Sequence, residues 1–341
     1  MNRFSFLSRE ADRRRLPVAL LSGFLGSGKT TLINALLREP CMAGTAVAVN
    51  EFGEVPLDRD LIDHGADKTV VMANGCLCCN LAGDMEAAVM RLFSRRESQE
   101  LPRFERLIIE PSGLSDPAPI AQAILRNPVM SRALRLEAIV TTVDAVFGEA
   151  QLARHPESRK QIALADCLVL TKTDLVPPDN IDRLRRRLGE ENPAAPVITV
   201  SHGAVPPASL FPPGFFGSEP AAPYRLTLFA DSVHPDHLGS NASASLTADR
   251  PLSWRAFDSW LRRIRIAHAE QLLRVKGMLD IEGVDGPVVV QGVHHVLNAP
   301  VELDAWPAGE RKSRLVLIAD RATIIAARES WAKALSGIVA N

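Results

Sequence analysis

The sequence predicts an α/β fold with a mostly parallel sheet, followed by a smaller α+β domain, on three observations. Short apolar runs alternate with helical patterns from Leu16 to about His202, as successive β–α–β units require. Each polar motif in that stretch falls where an apolar run ends, the edge at which open α/β sheets gather ligands. Residues 203–223 then hold six prolines and three glycines, and beyond them the pattern changes to short strands and one strongly amphipathic helix. The organisation expected is a disordered tail at 1–15, the α/β domain at 16–202, a proline-rich linker at 203–223 and the α+β domain at 224–335.

The first strand, Pro17 to Leu21, runs into Gly23-Phe24-Leu25-Gly26-Ser27-Gly28-Lys29-Thr30 and then a helical segment from Thr31. Strand, glycine-rich loop and helix in that order make a phosphate-binding loop. Gly23, Gly26 and Gly28 let the backbone turn tightly. The N–H groups around Ser27 to Thr31 then face the phosphates, where the helix dipole favours negative charge. Lys29 reaches the β- and γ-phosphates, and the Thr30 hydroxyl is a ligand for Mg²⁺. The expectation is a P-loop NTPase.

The later elements each deliver a motif. Thr45 to Val49 is strand-like and ends at Asn50-Glu51-Phe52-Gly53-Glu54, followed by an acidic loop through Asp58. Thr69 to Met72 leads to Gly75 and Cys76-Leu77-Cys78-Cys79, and a helical pattern follows from Asn80 to about Arg96. Phe104 to Ile109 ends at Glu110-Pro111-Ser112-Gly113, a helix starts near Asp116, and Ala138 to Val143 ends at Asp144. Asp166 to Leu170 ends at Thr171-Lys172-Thr173-Asp174; after a helix over Asp179 to Leu188, Val197 to Val200 ends at Ser201-His202-Gly203. In the second region, Tyr224 to Ala230 is strand-like. Ser253 caps a helix carrying Phe257, Trp260, Leu261 and Ile264, which suits an interface as well as a core. Strands over Gln271 to Ile281, Val288 to Gln291 and Arg314 to Ile318 and a helix from Arg321 complete it, with His294-His295 in a strand-like run.

Thr171-Lys172-Thr173-Asp174 departs by one residue from the Asn-Lys-x-Asp motif that reads guanine. Asp174 would accept from the base N1–H and amine, the Lys172 stem would lie along the base plane, and Thr171 keeps a hydroxyl in place of the amide. Ser201 and His202 could close over the base. Glu110 is placed to hold the Mg²⁺ shell, and Gly113 lets the backbone approach the γ-phosphate; Asp144 is a weaker candidate for the same shell. Either Glu51 or Asp58 could orient the attacking water. Three cysteines within four residues offer soft thiolate ligands for Zn²⁺, Co or a related ion, with Glu54 as a candidate carboxylate ligand. Two thiolates, a carboxylate and an open position would suit transient metal holding. His234 and His237 make a weaker metal signal and read more simply as a surface turn.

The net charge of −1 and pI near 6.7 give no reason to expect nucleic acid as a partner. The apolar run before the phosphate loop is too short for a membrane span or a signal-peptide core. Cytoplasm is the expected compartment, and a reducing one favours metal or redox chemistry for clustered thiols.

Taken with their order and spacing, Gly23 to Thr30, Asn50 to Glu54, Gly75 to Cys79, Glu110 to Gly113 and Thr171 to Asp174 resemble the CobW-type metallochaperone GTPases, relatives of UreG and HypB. Leu273-Arg274-Val275-Lys276-Gly277, Gln291-Gly292-Val293 and the strand from Ser313 to Ala319 extend the resemblance over about 16–335. It implies slow, Mg²⁺-dependent GTP hydrolysis to GDP, coupled to handling Zn²⁺ or Co²⁺ for a client apo-metalloprotein. The client would dock on the switch face and the C-terminal domain; a homodimer is left open. Thr171 replaces the family's usual Asn, Val49 precedes Asn50 where some relatives carry an acidic ligand, and the histidine-rich tract is reduced to His234 and His237.

Overall fold

A computed structural model of the chain describes residues 15–50, 70–74, 94–96, 98–101, 103–201, 204–211, 241–303, 306 and 311–335. Two compact units emerge, with main segments Arg13–Leu188 and Ala222–Asn341.

In the first unit β1 (Leu16–Gly23), β2 (Thr45–Asn50), β3 (Val70–Asn74), β4 (Arg106–Glu110), β5 (Leu134–Asp144), β6 (Cys167–Thr171) and β7 (Val197–Thr199) form one sheet, ordered β3-β2-β4-β1-β5-β6-β7. Every described pair is parallel. The helices are α1 (Lys29–Leu37), α2 (Ala118–Arg126), α3 (Met130–Ala133), α4 (Gly148–Arg154), α5 (Pro156–Leu164) and α6 (Pro178–Glu191). Strand β6 shows why the sequence reads as unbroken apolar runs. Cys167 and Val169 join a core with Leu32, Ile33 and Leu36 of α1, whereas Leu168 and Leu170 join Leu152, Ile162, Leu184 and Leu188 from α4 to α6. Both faces of a parallel sheet are covered, so period-two polarity disappears. β1 lies between β4 and β5: from β1 the chain passes to β2 and the edge strand β3, returns to β4, then crosses to β5 and winds out through β6 and β7. The carboxyl end of β1 therefore lies at the switch in winding, where open α/β sheets bind ligands.

Part of the expected linker belongs to this domain instead. A short helix α7 (Pro207–Leu210) begins at a proline, which the first turn tolerates. Leu210 and Phe211 are buried in the core that packs α1. Two large apolar side chains outweigh the proline-rich composition that marked the segment as a connector. The linker beyond Phe211 and the strand expected over Tyr224 to Ala230 lie outside the described residues.

In the second unit β8 (Asn241–Ala248), β9 (Arg274–Leu279), β10 (Val288–Val293), β11 (Val296–Leu297), β12 (Val301–Glu302) and β13 (Ser313–Asp320) form an antiparallel sheet. Helices α8 (Trp254–Ala267) and α9 (Arg321–Leu335) share its core. Trp260 is fully buried, 4.8 Å from the Trp331 ring in an edge arrangement, and its indole N–H donates to Ser330 Oγ at 2.9 Å. The apolar face of α8 is thus core. Ser253 occupies the N-cap position of α8 with no side-chain capping bond. His294 and His295 are the two turn residues between β10 and β11, where Val293 pairs with Val296. They are not strand residues; His294 takes the left-handed φ of 52° that a tight hairpin turn demands. Among the described residues no helix is long and apolar enough to cross a membrane.

Trp260→Ala should lower the unfolding free energy of this domain by about 3–5 kcal/mol, measured by urea titration followed by circular dichroism; a loss under ~1 kcal/mol would contradict its place at the core.

Candidate functional site

The loop between β1 and α1 is shaped by its glycines. Gly28 is the N-cap of α1 with φ 88°, and Gly26 has φ 69°. Gly23 has φ 142°; a Cβ there would collide with the Thr142 side chain and lie 2.7 Å from Ser27 Oγ. The buried Lys29 ammonium donates to the carbonyls of Gly23 at 2.9 Å and Phe24 at 3.2 Å, spanning the loop. The first N–H groups of α1 lack intrahelical acceptors by construction, which makes this helix start a ready anion site.

Two neighbouring strands grip Ser27. Its hydroxyl meets Thr142 Oγ1 of β5 at 2.7 Å, and its carbonyl accepts the Thr171 hydroxyl of β6 at 2.7 Å. Thr171 also donates to Val143 O at 3.3 Å. On the other side, the buried Glu110 ends β4 and accepts the Thr30 hydroxyl at 3.4 Å. A Cβ on Gly113 would sit 2.7 Å from the backbone nitrogen of Leu25, so glycine is required for this loop to pack against the phosphate loop. Gln161 of α5 donates its amide to the carbonyls of Gly113 and Ser115, each at 3.0 Å.

At the far end of β6, Lys172 adopts φ 56° and its ammonium meets Asp144 Oδ2 at 2.6 Å. Asp174 lies in a single 3₁₀ turn, Thr173–Leu175. Thr173 Oγ1 donates to Val200 O at 3.1 Å, which ties this turn to the segment leading to Ser201. Phosphate loop, carboxylate and lysine–aspartate turn thus share one sheet edge, the arrangement of a nucleoside-triphosphate site.

The family description "CobW/HypB/UreG, nucleotide-binding domain" matches residues 17–199, more than half of the chain. The chain belongs to this family. The CobW C-terminal domain matches residues 242–335. The chain is 32% identical to the zinc chaperone YjiA of Escherichia coli, over 89% of this chain and 93% of that protein. It is 29% identical to the zinc chaperone CobW of Pseudomonas aeruginosa, over 89% and 87% of the two chains. The solved structure of Zn(II)-bound YjiA GTPase from E. coli superposes with a TM-score of 0.70 at 28% identity, covering 96% of this chain and 99% of that one.

In this CobW-family chain two residues singled out from the sequence hold protein partners. Asp144 Oδ1 accepts the backbone N–H groups of Val146 and Phe147, and Oδ2 takes Lys172. β5 ends beside β6, with Asp144 paired to Thr171. Thr171 is buried and its hydroxyl donates to the phosphate loop. Glu51, Glu54, Asp58, Cys76, Cys78, Cys79, His202, His234 and His237 lie outside the described residues. Sequence reading missed Thr142, Gln161 and His155, whose ring lies 4.6 Å from that of Phe24. No short motif could flag them, because their partners are distant in sequence.

Gly113→Ala should force the two loops apart and weaken GDP binding at least about tenfold, roughly the effect of one lost charge-assisted hydrogen bond; unchanged affinity by titration of a fluorescent GDP analogue would refute the packing argument. In the same assay Thr171→Val, which leaves the Ser27 carbonyl without its donor, should weaken GDP about fivefold to tenfold.

Proposed function

We propose that this chain, a GTPase of the CobW family, carries a transition-metal ion, zinc or cobalt, and releases it to a client apo-metalloprotein when GTP is hydrolysed. The observation that carries the nucleotide half is the Thr171–Ser27 bond of 2.7 Å, which joins the phosphate loop directly to the strand bearing Lys172 and Asp174. Triphosphate and base would thus be read by two segments tied through one side-chain hydrogen bond. In this reading Lys29 and the N–H groups of 26–31 hold the phosphates, and Asp174 selects guanine, with Ser201 and His202 closing over it.

The residues present fit Mg²⁺. Thr30 Oγ1 and a Glu110 oxygen, 3.4 Å apart at the start of α1, are the hard donors that Mg²⁺ takes. Bound there, the ion would neutralise charge on the phosphates. Glu51 or Asp58 would orient the water, and Gly113 would offer its N–H to the γ-phosphate.

The metal is cargo. Support for zinc comes from relatives named zinc chaperones across nearly their full length. The proposed ligands are Cys76, Cys78, Cys79 and Glu54. If the loops around Glu51 to Asp58 and Cys76 to Cys79 respond together to the γ-phosphate, GTP and metal bias one equilibrium and must alter each other's affinity by the same factor. Hydrolysis would then loosen the metal for a client on the switch face and C-terminal domain.

The test is Zn²⁺ affinity, by competition with a chromogenic chelator, in apo protein, with GDP–Mg²⁺ and with a non-hydrolysable GTP analogue plus Mg²⁺. A change of about tenfold or more between the GDP and GTP-analogue states, in line with typical coupling energies, and lost in Cys78→Ala, is expected. Equal affinity in all three states would mean a fixed structural zinc and an assembly GTPase.

A further inference from the structure

We propose that Asp144 is a positioning residue for guanine recognition, acting through Lys172. The inference rests on the reading of Lys172 and Asp174 as the base-side motif. A lysine whose stem must lie along a base plane is useful only if its mobile ammonium is anchored, because a free lysine side chain has much rotamer entropy to lose on binding. Asp144 provides that anchor. Its side chain is buried while that of Lys172 is one-third exposed, and the two meet at 2.6 Å. The carboxylate is itself immobile: Oδ1 accepts from Val146 N at 2.7 Å and Phe147 N at 3.3 Å, closing a turn at the end of β5. Ala145 N donates to Thr171 O at 3.0 Å, so the peptide before Lys172 is held to the residue after Asp144. Lys172 also holds a left-handed φ of 56°, uncommon for a residue with a side chain. That turn directs the chain after β6, and the ion pair with Asp144 fixes where the side chain ends. Charge and backbone together pre-organise the lysine before a base arrives.

The experiment is a double-mutant cycle on the full chain, with GDP–Mg²⁺ as ligand and the thermal midpoint recorded for each variant. Asp144→Asn keeps an acceptor for the turn and removes the charge; Lys172→Met keeps the stem and removes the ammonium. Asp144→Asn should weaken GDP about tenfold in the parent chain, the scale of one charge-assisted hydrogen bond, and less than about twofold in the Lys172→Met background. Equal losses in both backgrounds, or no loss in the parent while Lys172→Met does lose affinity, would overturn the positioning role. If Lys172→Met binds GDP like the parent, the base-side reading of Lys172 itself fails and the inference falls with it. Should the asparagine variant misfold, Asp144→Ser, whose hydroxyl also accepts from turn N–H groups, takes its place in the cycle, with the same losses expected and the same results overturning the role.

Discussion

Ser27 is fully buried, and its hydroxyl and carbonyl are met by Thr142 and Thr171, 115 and 144 residues further along the chain. A loop rich in glycine loses much conformational entropy when it is fixed, so it needs partners outside itself to stay in one shape. β5 and β6 provide them. Because β5 ends at Asp144 and β6 leads into Lys172 and Asp174, the bonds that shape the phosphate loop register it against these residues. The β3–β2–β4 half of the sheet contributes at the other flank, through Glu110 and the close approach of Gly113 to Leu25.

That division has a physical consequence for a nucleotide switch. Three contacts on the β5–β6 side are short, at 2.6–2.7 Å; two join buried groups, and the third joins buried Asp144 to the partly exposed Lys172. On the β4 side the Thr30–Glu110 contact is long, at 3.4 Å, and the loop after Glu110 is held by the Gln161 amide and by packing. In the proposed switch, a longer contact lies on the side that would answer to a γ-phosphate and to Mg²⁺. Of the proposed metal ligands, Glu54 follows β2 in the chain and the three cysteines follow β3, both strands of that flank.

Among the described residues, five large apolar side chains remain exposed in the segments that follow strands of this edge: Leu25, Leu114, Val146, Phe147 and Leu175. The C-terminal domain is built on a different principle. Its sheet is antiparallel, and within a largely aliphatic core Trp260 packs against Trp331 and Phe257. The indoles also hydrogen-bond, Trp260 to Ser330 and Trp331 to Thr247 O. Each buried indole thus adds a large apolar area while its N–H stays satisfied.

Much of the α/β domain was legible from sequence because its signals are local. A strand, a glycine-rich loop and a helix in order specify a phosphate loop wherever they occur, and the strand ends placed Glu110, Lys172 and Asp174 on one edge. The parallel register followed from the alternation of strands and helices. What sequence could not show were contacts between residues far apart in the chain. The motif of Thr171 is read along the chain; in space β6 lies against the phosphate loop, and the Thr171 hydroxyl donates there. Asp144 shows in sequence only its place at a strand end; the strand order, which sets β5 beside β6, brings it to Lys172. The same limit made a connector of Leu210 and Phe211 and left the role of Trp260 undecided, since a side chain's burial is settled by what packs over it. Sequence alone determined which chemistry is carried and at which edge; tertiary structure decided which atoms hold one another there, because hydrogen bonds and burial depend on proximity in space and not on order in the chain.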